Sequence, residues 1–190
     1  MKSIKENIIN KIEIKNSKFI TLLIKIDDNT NINNLLKEIK EKYPKATHYC
    51  YGYITENSKK SSDDNEPSNT AGLPILNVLE KEKIMNVIAI VVRYFGGIKL
   101  GASGLIRAYS KSIKEALKTT KLIELIPGYE IELSFPYNKQ KEIDYTLKDY
   151  KIINKEYLEL VIYHILIPKE KISIIEKYQY NIKKDLLIEK

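Results

Sequence analysis

Val87-Ile88-Ala89-Ile90-Val91-Val92 is an unbroken run of small and β-branched apolar side chains. A strand open to water on one face would alternate with polar residues, and this one does not. The run predicts a central strand covered on both faces. The chain leaves it through Arg93 and Tyr94 into Phe95-Gly96-Gly97-Ile98-Lys99-Leu100-Gly101. A helix is predicted from about Ser103 to Thr119, with Leu105, Ile106, Tyr109, Ile113, Ala116 and Leu117 spaced for one buried face.

That junction concentrates two scarce residue types. Four of the seven glycines (Gly96, Gly97, Gly101, Gly104) lie between Arg93 and Arg107, which are the only arginines among 32 basic residues. Arginine offers a planar fork of donors suited to phosphate or carboxylate. A glycine-rich loop entering a helix lets backbone N–H groups converge on an anion. Ser103 is a candidate N-cap, with Arg107 four residues on and Lys99 on the loop. The alternative is that the glycines serve tight packing and the arginines pair with nearby acids. The loop is not a P-loop: Gly96 to Ser103 reads G-G-I-K-L-G-A-S, with Ala102 where the phosphate-gripping lysine belongs.

Upstream, Asn7–Ile14 and Ser17–Ile26 predict a hairpin turning at Asn16-Ser17. Asp28-Asn29-Thr30 predicts a cap for a helix from Ile32 to about Tyr43, which Pro44 ends. Thr47–Thr55 predicts a strand with His48, Cys50 and Ile54 on one face. Its other face carries Tyr49, Tyr51 and Tyr53, either packed under a helix or free to stack bases. His48 and Cys50 read as buried polar groups supporting the fold, because four-ligand zinc sites rarely rely on carboxylates. Glu56–Thr70 has no periodicity and predicts a long loop. Its acids Asp63, Asp64 and Glu66 are candidates to hold Mg²⁺ or to pair with the arginines. A helix follows from between Thr70 and Pro74 through Leu79.

Beyond a closing strand at Leu122–Ile126, Pro127-Gly128 predicts a boundary, giving domains 1–125 and 126–190. The second predicts strands at Glu130–Phe135, Ile152-Ile153, Leu158–Ile167 and Leu186–Ile188, with helices at Lys139–Asp149 and Lys169–Tyr178. That order, β-α-β-β-α-β, is the split βαβ of ferredoxin-like domains. The fold class is α+β.

Charge supports the same division. Residues 1–125 carry 21 Lys+Arg against 14 Asp+Glu, whereas residues 126–190 carry 11 of each. The excess points to an anionic partner such as RNA, although a lysine-rich coding bias yields the same excess on solvated faces. No apolar run spans a bilayer, no signal-peptide pattern stands at the start, and the single cysteine fits a reducing compartment, so the expected location is cytoplasmic with no membrane partner. The sequence does not set the oligomeric state.

Several motifs together resemble the YigZ/IMPACT family. They are Arg93-Tyr94-Phe95-Gly96-Gly97-Ile98-Lys99-Leu100-Gly101, then Gly104-Leu105-Ile106-Arg107-Ala108-Tyr109-Ser110; Asp63-Asp64-x-Glu66-Pro67-Ser68-x-Thr70-Ala71-Gly72-x-Pro74; His48-x-Cys50; and Lys15-x-Ser17-Lys18-Phe19-Ile20. Asn65 and Asn69 stand where the family pattern has glycine; asparagine tolerates positive φ better than most residues. The resemblance implies a first domain like the second domain of ribosomal protein S5, and a ferredoxin-like second domain. It also implies a role in translation control, exercised through protein contacts in the eukaryotic relatives. Three functions follow as expectations. The first is a non-enzymatic regulator binding RNA or the ribosome through loop 96–104. The second is a Mg²⁺-dependent phosphate or nucleotide hydrolase using Asp63, Asp64 and Glu66. The third is a protein-interaction regulator.

Overall fold

The computed structural model describes residues 1–190 and divides into two compact units, Met1–Ile123 and Glu124–Lys190. The first contains β1 (Lys2–Ile4), β2 (Ile8–Ile14), β3 (Ser17–Lys25), α1 (Ile32–Lys42), β4 (His48–Ile54), β5 (Lys59–Ser62), α2 (Gly72–Lys81), β6 (Val87–Tyr94) and α3 (Ala102–Lys118). Its main sheet has the order β2-β3-β6-β4-β5, and every neighbouring pair is antiparallel. The apolar run occupies β6, the middle strand, and every residue from Val87 to Arg93 is buried.

The two faces of β6 enter different cores. Val87, Ala89 and Val91 join Ile75 and Leu79 of α2 and Leu105, Tyr109 and Ile113 of α3. Ile88, Ile90 and Val92 join Ile39 of α1. Tyr49, Tyr51 and Tyr53 pack against this second core, so the tyrosine row lies under a helix rather than forming an open stacking platform. The period-two phase continues past the run. Arg93 falls on the α2/α3 side and Tyr94 on the α1 side.

Several local expectations are corrected. The β2–β3 turn is Lys15-Asn16, both at positive φ, because Ile14 pairs with Ser17; this is the twist-matched two-residue turn. Asn31 caps α1 by accepting from the Asn34 N–H at 3.1 Å. Asp28 instead binds Thr55 and Asn57 at the β4–β5 turn. The expected 56–70 loop contains β5, an edge strand of sequence Lys-Lys-Ser-Ser. Charge on an edge strand blocks further pairing and also hides the strand from a hydrophobic pattern.

The second unit contains β7 (Leu122–Phe135), which begins just before it, α4 (Gln140–Thr146), β8 (Lys151–Tyr157), β9 (Val161–Pro168) and β10 (Gln179–Glu189). β7 pairs with β10 and β9, and β9 pairs with β8, all antiparallel. β7 runs straight through Pro127-Gly128, so no break occurs there. Asn154-Lys155, left between the strands expected at Ile152-Ile153 and Leu158–Ile167, lies inside β8 beside a register shift. The expected 169–178 helix is a 3-10 segment, Lys169–Ile174. The last strand is longer than its short apolar signal, because Lys183, Lys184 and Asp185 are exposed on it. Ile131, Leu133, Phe135, Ile143, Tyr163 and Ile165 are among the residues forming its core.

Candidate functional site

The register places Phe19 and His48 on either side of Arg93, so one row crosses β3, β6 and β4 on the α2/α3 face. A guanidinium in that row needs a counter-charge. The loop after β5 supplies it: Glu66 Oε1 accepts from Arg93 Nη1 at 2.5 Å and from the Tyr109 hydroxyl of α3 at 2.7 Å. Arg93 and Glu66 are only 4% and 8% exposed, which makes this a buried pair whose members depend on each other. His48 Nε2 lies 3.7 Å from Glu66 Oε2. Its Nδ1 faces the Asp64 carbonyl at 2.8 Å and therefore carries the hydrogen.

The other two acids organise the loop that delivers Glu66. Asp63 Oδ1 accepts from the N–H groups of Ala71 (2.9 Å) and Gly72 (2.8 Å), and Oδ2 from Asn69 N–H (2.8 Å). It thus serves orphan donors at the start of α2 and complements the helix dipole. Asp64 Oδ2 accepts from Tyr49 N–H at 2.7 Å. Asp64, Asn65 and Asn69 all have positive φ, so the two asparagines hold the conformation that glycine would. These carboxylates face backbone donors and do not converge, and no group of three or more His, Cys, Asp or Glu side chains is arranged to hold a metal. The Mg²⁺ set expected at Asp63, Asp64 and Glu66 does not fit this donor arrangement. His164, the other histidine, pairs with Glu156 in the second unit.

Cys50 is fully buried and donates to the Asp63 carbonyl at 3.0 Å and to the Tyr109 hydroxyl at 3.3 Å. Burial pushes its thiol pKa well above the ordinary range, against a lowering by Tyr109 and with the help of Glu66, Asp64 and Asp63. The Tyr109 hydroxyl is likewise pushed up, first by burial and then by Cys50 and Glu66, so it stays a donor. Cys50 is expected to resist a thiol reagent in the folded protein at pH 8 and to react fully in urea. Rapid labelling of the native chain would contradict this placement.

The glycine loop is built for close packing. A Cβ on Gly96 would lie 2.0 Å from the Asn16 carbonyl carbon, and the Gly96 N–H donates to Ser17 Oγ at 3.1 Å. Phe95 N–H donates to Thr47 Oγ1 at 3.0 Å. These two amides are therefore engaged within the fold and not available to an anion. Gly101, at φ 71°, is the N-cap of α3. The expected cap, Ser103, is an exposed residue of the first turn. Tyr94 turns to the other face, where its hydroxyl donates to the Pro44 carbonyl at 3.2 Å. Gly97 also has positive φ, and Gly104 packs near Leu100.

The two arginines, close in sequence, are thus opposite in environment. Arg93 is a floor residue, whereas Arg107 is exposed on α3 with no ion pair. Between the acidic loop and the glycine loop lies a pocket of about 420 Å³, whose lining includes His48, Glu66, Pro67, Arg93, Phe95 and Lys99. Phe95 and Ile98 are each 46% exposed. Sequence reasoning treated Tyr109 only as a core position. The available signal was that a tyrosine buried at helical spacing needs a partner for its hydroxyl.

The Impact N-terminal domain family matches residues 15–117. The chain is 37% identical over 157 residues to the IMPACT family member YvyE of Bacillus subtilis (strain 168), covering 81% of this chain and 72% of the relative. It is 33% identical over 168 residues to the IMPACT family member YigZ of Escherichia coli (strain K12), covering 85% and 82%. A crystal structure of a hypothetical protein superposes with a TM-score of 0.69 at 29% identity, covering 96% of this chain and 97% of that one.

Proposed function

The chain belongs to the Impact family, and from that premise we propose that it is a translation-associated regulator that binds RNA or the ribosome through its first unit. The observation that carries this reading is a set of exposed cations on the glycine loop and on the helix that follows it. Lys99 is exposed on the loop, and Arg107, Lys111 and Lys114, spaced four and three apart, are exposed on α3 without ion pairs. That spacing puts them on one helical face. Phe95, half exposed beside Lys99, offers a stacking ring. Arg93, expected from the loop motif to contact an anion, instead helps to hold the pocket floor through Glu66. The first unit carries 21 Lys+Arg against 13 Asp+Glu and the second 11 against 12, so the field acts at the first.

The finer fold assignment belongs to the same proposal. The first unit is an S5-domain-2-like module. The second is ferredoxin-like, supported by the order β10-β7-β9-β8 and its split connections. The single buried cysteine supports a cytoplasmic setting; no helix is long and apolar enough to cross a membrane.

Anisotropy with a single-stranded RNA tests the reading. Affinity should fall as salt rises from 50 to 200 mM, with a log–log slope of about 0.7 per phosphate contact. Substituting Arg107, Lys111 and Lys114 together by alanine should lower that slope by about 2. Binding indifferent to both, or an absence of RNA and ribosome binding, would sink it. A protein partner is the second reading, favoured by Leu73 and Ile106, 41% and 42% exposed across a groove between α2 and α3. Its complex should survive high salt where RNA is released.

A further inference from the structure

The floor of the pocket between the two loops is polar, buried and incompletely bonded. Arg93 is 4% exposed, yet its guanidinium makes one hydrogen bond, from Nη1 to Glu66, and Nε has no partner. Glu66 Oε1 is doubly occupied, whereas Oε2 accepts no hydrogen bond. His48 Nε2 lies 3.7 Å from Oε2, and with Nδ1 holding a hydrogen against the Asp64 carbonyl, it is Nε2 that carries the lone pair of the neutral ring. The floor therefore presents two abutting acceptors, Glu66 Oε2 and His48 Nε2, beside a donor fork with spare N–H groups. Buried groups of this kind are ordinarily satisfied, and the residues that carry them, His48, Glu66 and Arg93, line an open pocket.

The chemistry of a complementary ligand follows. A phosphate or carboxylate placed on Arg93 would also face the Glu66 carboxylate. With the pair neutral overall, an uncharged polar edge fits the floor better than an anion. Two acceptors next to a donor call for two donors next to an acceptor. Of the four bases, guanine alone carries that order on its pairing edge, N2–H and N1–H beside O6. The walls suit a flat ring: Pro67 and Leu105 line the pocket, and Phe95 leaves nearly half its surface uncovered. Lys99 stands at the same pocket, exposed, where a phosphate would need a cation.

We propose that this pocket takes one guanine base, either from a free guanine nucleotide or splayed out of a single-stranded RNA, with Glu66 and His48 accepting from N1 and N2 and Arg93 donating to O6. As an RNA-reading element, the site rests on the RNA proposal above. The test compares U-rich octamers with and without one central guanine, alongside GMP, AMP, CMP and UMP, by calorimetry and anisotropy. The guanine octamer should bind at least about tenfold more tightly than its all-uracil counterpart, and GMP should outcompete the other three nucleotides. Glu66→Gln, which puts an amide where an acceptor stood, should remove the preference and leave the salt slope unchanged. Phe95→Ala, an exposed substitution that spares the core, should weaken guanine binding even if Glu66→Gln fails to fold. Octamers that bind equally whatever their bases would overturn the guanine site and leave RNA binding standing. GMP binding without octamer binding would uphold the site and overturn the RNA reading. Binding of neither would end both.

Discussion

Glu66→Ala is expected to lower the unfolding free energy of the first unit by about 3–5 kcal/mol, the cost of stranding one member of a buried ion pair. The variant leaves Arg93 charged between Phe19 and His48 in a row with no other anion bonded to it. It also removes the Tyr109 hydroxyl's acceptor. Arg93 cannot relieve the strain by losing its proton, because guanidinium remains charged in proteins. The measurement is a urea titration read as a shift in midpoint at constant slope. A double-mutant cycle separates pairing from packing. Arg93→Met should cost a similar amount alone, and combining it with Glu66→Leu should recover much of the loss, since apolar replacement of both partners removes the stranded charge. A loss below about 1 kcal/mol for Glu66→Ala would mean that Arg93 finds solvent or another acceptor once Glu66 is gone, and that the two do not depend on each other as a buried pair.

The phase of the chain made part of this site legible and its long-range partners made the rest illegible. Counting by twos from Val87 puts Arg93 on the same face as Ala89 and Val91, and so toward α2 and α3. On a helix, Arg107 stands two residues from both Leu105 and Tyr109, about 200° from each, and therefore outside. The distinction between a structural arginine and a free one was present in the spacing, though the two looked alike as members of one motif. The identity of Arg93's partner was not readable in the same way. Asp63, Asp64 and Glu66 are equivalent as charges; backbone geometry turns Asp63 to the start of α2, Asp64 to Tyr49, and only Glu66 inward. β5 escaped because Lys59-Lys60-Ser61-Ser62 buries almost nothing, and an edge strand is recognised by its neighbour's hydrogen bonds rather than its own pattern. The glycine loop was recognisable as a feature, but the turn it packs against lies some eighty residues earlier.

That packing sets up the second large effect. Gly96→Ala is expected to destabilise the first unit by about 3 kcal/mol, the upper end for overpacking. The added methyl would lie 2.0 Å from Asn16 C, 2.1 Å from Asn16 O and 2.4 Å from Ser17 N. All three are backbone atoms of the β2–β3 turn, so no side chain can swing aside to make room. The loop or the hairpin must move, and either movement breaks the Gly96–Ser17 hydrogen bond. Gly97 supplies the control. It has φ 86° and nothing within 4 Å of an added Cβ, so Gly97→Ala meets only the left-handed backbone penalty of about 1–2 kcal/mol. Urea titrations of the two variants should rank Gly96→Ala as the more damaging. The reverse order would mean that the glycines are there for backbone conformation and that the hairpin does not back onto the loop. The expected order instead assigns Gly96 to holding the loop against β2–β3, with Phe95 beside it fixed through Thr47. Small shifts there would displace the pocket's Phe95 wall, so Gly96→Ala should weaken ligand binding even at temperatures where the fold survives.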